Sequence, residues 1–72
     1  MQPFQQRVVD EKKELDEKIG KLSAFITGGD VYQTLPVDEQ VRLGTQLQYM
    51  NRYSEILGER IVEFTRAEVY GD

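Results

Sequence analysis

The chain contains no cysteine and no histidine. Together these absences remove disulfides, thiolate zinc sites and imidazole metal ligands. They also leave the serines and threonines without the base that a hydroxyl nucleophile needs, so no catalytic pair can be assembled and no enzyme is expected. Proline occurs only at positions 3 and 36, which leaves long stretches free to be helical. No run approaches the roughly 20 apolar residues of a membrane span, and a charged segment follows Met1-Gln2-Pro3 where a signal peptide would be apolar. The expectation is a cytosolic chain with no membrane partner. Cations are too few for a nucleic-acid polymer as partner: the net charge is −4, whereas such binding depends on neutralising many phosphates. A small anion in a local pocket remains compatible with that balance.

Seventy-two residues make one small domain. Chains of this size bury only about 60% of the surface exposed when unfolded, and without disulfides or metal the remaining remedy is self-association. What the sequence does have is helical periodicity. In residues 4–26, Phe4, Val8, Leu15, Ile19, Leu22 and Ile26 recur at steps of three, four or seven, which predicts a helix roughly 35 Å long. Arg7, Lys12, Lys18 and Lys21 flank this stripe. Glu14–Lys18 and Glu17–Lys21 have the spacing and order of favourable surface pairs. Glu11 falls near the apolar line, either as an exposed residue where the stripe drifts or as a carboxylate meeting a cation. Phe4 reads as a staple at the helix entrance or as a stacking platform.

Residues 27–35 form the predicted turn. Gly28 and Gly29 suit a helix end in the left-handed conformation, and Val31, Tyr32 and Leu35 are spaced as one helical turn plugging the end of a hairpin. Pro36 then opens a second helix over about residues 36–68, with Asp38 and Glu39 in its first turn, where the helix dipole favours negative charge. Leu43, Leu47, Met50, Leu57, Ile61 and Phe64 form its main stripe, with Ser54 in the place of a missing apolar residue. Tyr49, Tyr53, Ile56 and Arg60 make a second line on an adjoining face. One partner helix cannot cover both lines, which calls for another surface, most simply a second copy. The fold class is therefore all-α: an antiparallel helical hairpin, a single domain over residues 1–72, assembling into a symmetric homo-oligomer. Residues 69–72 are expected to fray.

Two runs in order, QxRVxDEKxELxxKxxKLxxFI in the first helix and QxxxMxxYxxxLxxRI in the second, resemble the hairpin domain of phage anti-CBASS cyclic-oligonucleotide sponges, a hairpin shared with one class of anti-Thoeris sponge. The resemblance covers residues 4–64. It implies a hexameric homo-oligomer in the host bacterial cytoplasm that binds cyclic di- and trinucleotides without cleaving them, uses no cofactor, and keeps the messenger from its immune effector. It further implies Lys21 as a phosphate contact, helped by Lys18. Phe4 and Arg7 would supply stacking and a second cation from a neighbouring subunit, and Ser23 with Arg60 would mark a separate trinucleotide site where subunits converge. Helix 1 has no tyrosine, so stacking there falls to Phe4. A rival reading is a helical adaptor that binds a protein partner through Tyr49, Tyr53 and Ile56.

Overall fold

The computed structural model describes residues 1–70, with side chains to Arg66. It consists of α1 (Pro3–Gly28), a one-turn α2 (Asp30–Thr34) and α3 (Val37–Tyr70). Pro3 occupies the first turn of α1, where its missing N–H is no loss. The Gln5 side chain reaches back to accept from the Gln2 backbone N–H at 2.8 Å, so the entrance is capped. The second helix begins one residue after the expected point. Pro36 is its cap, and its carbonyl accepts from the backbone N–H groups of Glu39 and Gln40 at 3.0 and 3.1 Å. Of the tail expected to fray, residues 69 and 70 continue α3, and residues 71–72 lie outside the described residues.

The chain leaves α1 in a way the sequence reading did not foresee. Gly29 is extended, with φ −108° and ψ 124°, and no described residue has positive φ. The constraint on Gly29 is space instead: a β-carbon there would stand 2.5 Å from the Phe25 carbonyl oxygen. The chain turns so sharply at this point that position 29 lies against the last carbonyls of α1, where only a glycine fits. Beyond it, Tyr32 plugs the hairpin end as expected. Its ring meets Phe25 edge to face at 6.2 Å and its hydroxyl donates to the Gln40 carbonyl at 3.2 Å. Val31 takes no part in the plug; it is exposed.

The hairpin core is narrow. Val8, Leu15 and Leu57 are buried, the last only 1% exposed, and Ile19, Met50, Ile61 and Phe64 pack around them half-buried. These are the two predicted stripes facing one another. At the open end Phe4 meets Phe64 edge to face, ring centroids 6.1 Å apart, yet stays 53% exposed. It is a staple between helices with one side of its ring left free. No described helix is long and apolar enough to cross a membrane.

Candidate functional site

Two contacts set the hairpin register. Lys12 meets Ser54 midway along the helices, and Phe4 meets Phe64 at the open end. Antiparallel helices rising 1.5 Å per residue then place Arg7 level with Arg60, and Lys18 and Lys21 level with the segment around Tyr49 and Gln46. Side-chain direction follows from the 3.6-residue turn. The two long faces of the hairpin differ completely.

On one face lies a closed polar node. Ser54, the gap in the α3 stripe, is only 7% exposed. Lys12 donates to its hydroxyl at 2.7 Å and to Asp16 Oδ2 at 3.0 Å, while the Ser54 hydroxyl donates to Asp16 Oδ1. The Lys12 stem runs over Gly58, 3.5 Å from where a β-carbon would sit. The hydrogen bond from Ser54, and then that from Lys12, hold the Asp16 carboxyl below its ordinary value. Every polar group in this node has a partner. Of the two readings of Glu11, the structure bears out the exposed one, and the residue takes no place in the seam. Lys12 does, at the 8–12–15–19 spacing of the same stripe. That spacing, set against the serine gap on α3, was the available signal.

An open groove of about 470 Å³ on this face is lined by Val9, Lys12, Lys13, Asp16, Glu17 and Ile61, and another of about 380 Å³ lies along the outer side of α1 among Asp10, Lys13, Glu14 and Glu17. Neither suits an anion. Lys12 is already committed, and Lys13 is outnumbered by carboxylates. None of the sequence-predicted site residues lines either groove.

The opposite face carries several charges that make no ion pair among the described residues. Helical spacing gathers Arg7, Glu11, Glu14, Lys18, Lys21 and Phe25 along α1, and Arg42, Gln46, Tyr49, Tyr53, Ile56 and Arg60 along α3, at steps of four and three. The Phe4–Phe64 ring contact closes one end of it. Tyr49 is 72% and Tyr53 43% exposed. Among the described residues, the ion pairs are made by Lys12, Arg42, Arg52 and Arg66. Arg7, Lys18, Lys21 and Arg60 on this face make none, nor does Lys13 outside it, and the expected Glu14–Lys18 and Glu17–Lys21 pairs do not form. Such exposed pairs gain little over hydration, so the spacing alone does not hold them.

Within one chain the predicted site residues fall into separate groups. Phe4, Arg7 and Arg60 come together at the open end, while Lys18 and Lys21 sit roughly 16–25 Å away along the helix axis. Ser23 is half-buried on the flank of the polar node, so it shares neither face nor end with Arg60. Ser23 and Arg60 of one chain do not meet, so the trinucleotide site that the resemblance implies would need them from different subunits. Among the described residues no three metal-ligating side chains gather.

No curated protein and no solved structure matches the chain. The family model Sequestin matches residues 2–63, a span that holds α1, the turn, α3 as far as Glu63 and all six predicted site residues. The chain belongs to the Sequestin family, whose name denotes sequestration.

Proposed function

We propose that this protein is a phage anti-defence sponge. It binds cyclic di- and trinucleotide second messengers in the host bacterial cytoplasm, leaves them uncleaved, and so starves CBASS effectors of their activator. The observation that carries the reading is the set of unpaired cations, Arg7, Lys18, Lys21 and Arg60, on a face that also exposes Phe4 and two tyrosines. Cations free of internal partners can answer phosphates, and exposed rings can stack on bases. Family membership supports capture without turnover, as does a sequence with no histidine or cysteine to serve as base or nucleophile. The separation of the two cation groups along the helix supports a site shared between copies of a homo-oligomer, six by the resemblance.

Calorimetric titration with a panel of cyclic di- and trinucleotides tests this, with the ligand recovered afterwards for chromatography. Tight binding and intact ligand are expected. No heat with any member at micromolar protein would overturn the reading, and cleaved ligand would make the protein an enzyme. The exposed Tyr49–Tyr53–Ile56 line also suits an adaptor that binds a protein partner. Lys21→Ala separates the two, because only a sponge loses nucleotide affinity through it.

A further inference from the structure

The two apolar stripes do not by themselves choose how the helices align. The Phe4–Phe64 contact and the antiparallel rise place Leu15 level with residue 54 and Ile19 level with Met50. Slipping α3 by seven residues, about 10 Å, in one direction sets Leu15 against Leu47 and Ile19 against Leu43. Slipping it the other way sets Leu15 against Ile61 and Ile19 against Leu57. Apolar meets apolar in all three alignments, because both stripes repeat at close to seven residues.

What each slip breaks is the polar node. Each stripe is interrupted once, by Lys12 on α1 and by Ser54 on α3. The interruption has a shape as well as a polarity. The Lys12 stem crosses Gly58, 3.5 Å from where a β-carbon would sit, and its ammonium reaches Ser54 at 2.7 Å and Asp16 at 3.0 Å. Ser54 in turn donates to Asp16. Ser54 and Gly58 are one helical turn apart, so they form a slot, with a glycine under the stem and a hydroxyl at the head. Seven residues to either side, Gly58 is replaced by Asn51 or Thr65, whose side chains stand in the path of the stem. Ser54 is replaced by Leu47 or Ile61, which offer Lys12 no acceptor and Asp16 no donor. A slipped Lys12 thus meets a filled track and an apolar residue at its head, a costly place for an ammonium.

We infer that Lys12, Asp16 and the Ser54–Gly58 slot form a register lock, which selects one of the three alignments that the apolar stripes would accept. A polar residue in an apolar helix seam specifies register in this way at some cost in stability. Apolar residues at positions 12 and 54 would bury more surface, but they would serve every alignment alike. The alignment selected is the one that brings Arg7 level with Arg60, and a seven-residue slip would part them by about 10 Å.

The test reads the alignment directly, without nucleotide. The chain has no cysteine, so spin labels attach only where cysteines are introduced. Asp10→Cys and Gln48→Cys, both at exposed positions, lie roughly 16 Å apart along the axis, and a slip changes this to roughly 6 or 27 Å. Labelled chain is diluted into unlabelled chain of the same variant, so that pulsed electron–electron resonance reads distances within one chain. The parent should give a single distance. Lys12→Met alone leaves the Ser54–Asp16 bond, so Lys12→Met/Ser54→Ala is used to open the lock. It should remain helical by circular dichroism and show a second distance displaced as a slip requires. Gly58→Leu, which blocks the track but keeps every polar group, should show the same second distance. Gly58→Ala, whose β-carbon stands at ordinary contact distance from the stem, should keep the parent's single one. The parent distance alone in both Lys12→Met/Ser54→Ala and Gly58→Leu would overturn the inference, because the turn would then suffice to set the register. Loss of helicity in both would overturn it too, since the node would then hold the hairpin together rather than choose its alignment.

Discussion

The two long faces of the hairpin use the same residue types to opposite ends. On one, Lys12, Asp16 and Ser54 close a polar node in which each group satisfies the others. On the other, Arg7, Lys18, Lys21 and Arg60 stand free beside exposed tyrosines. A lysine whose ammonium is spent on its own chain contributes to shape, whereas one left unspent is available to something outside. Composition cannot make this distinction, because both faces hold lysines and acids at helical spacing. Tertiary register makes it.

The comparison can be broken most forcefully at the core that both faces share. Leu57→Ala should cost about 2–5 kcal/mol, a large part of what so small a domain has, and urea unfolding should show the transition weakened or lost. Tyr49→Ala/Tyr53→Ala changes larger side chains, yet should alter the intrinsic stability of the hairpin far less, because both are solvent-facing. Its effect should appear instead as loss of the concentration dependence of Tm.

Next comes a contrast between two lysines. Lys21→Ala should weaken cyclic-nucleotide binding by about 10–100-fold, the loss of one charge-assisted contact worth about 1.5–3 kcal/mol, with unfolding little changed. Lys12→Met should do the reverse, keeping nucleotide affinity while lowering stability by about 1 kcal/mol, because Ser54 loses its donor and Asp16 one of its two. Equal effects of the two on binding would erase the distinction between the faces.

The polar node also has a pH signature. The Asp16 carboxyl is held below its ordinary 3.8 by Ser54 first and Lys12 second, so its contribution is fully present above that value. It is lost as pH falls through the lower value of the folded state. Thermal unfolding in acid should show a decline below about pH 4 that Asp16→Asn reduces, while a Lys21 substitution leaves it unchanged.

The smallest effect concerns Gly20, which has no atom within 4 Å of its missing β-carbon. Gly20→Ala should stabilise α1 by about 1 kcal/mol in thermal unfolding. Because Gly20 lies toward the polar-node side, the substitution should leave association unchanged; weakened association would mean that a copy packs there instead.

Much of the fold was legible because it is periodic. The two apolar stripes, the proline entrances, the Tyr32 plug and even the Ser54 gap follow from spacings of three and four. Gly29 was read for its backbone freedom and proved to matter for the room it leaves under the Phe25 carbonyl, a clash that no local pattern records. Glu11 and Lys12 lie at similar angles on either side of the α1 stripe, so periodicity could not decide between them. The decision came from Ser54, forty-two residues from Lys12 in sequence. The candidate site was less legible still. Its cations can be found from the sequence, but which are already paired, and that Ser23 and Arg60 lie on opposite faces, depends on how the hairpin closes.

The most direct measurement is amide NMR mapping of the isotopically labelled protein as a cyclic dinucleotide is titrated in. The account predicts shifts at Phe4, Arg7, Lys18, Lys21 and Arg60, with the Lys12–Asp16–Ser54 node undisturbed. Shifts centred on that node and its groove, or none anywhere at saturating nucleotide, would contradict it.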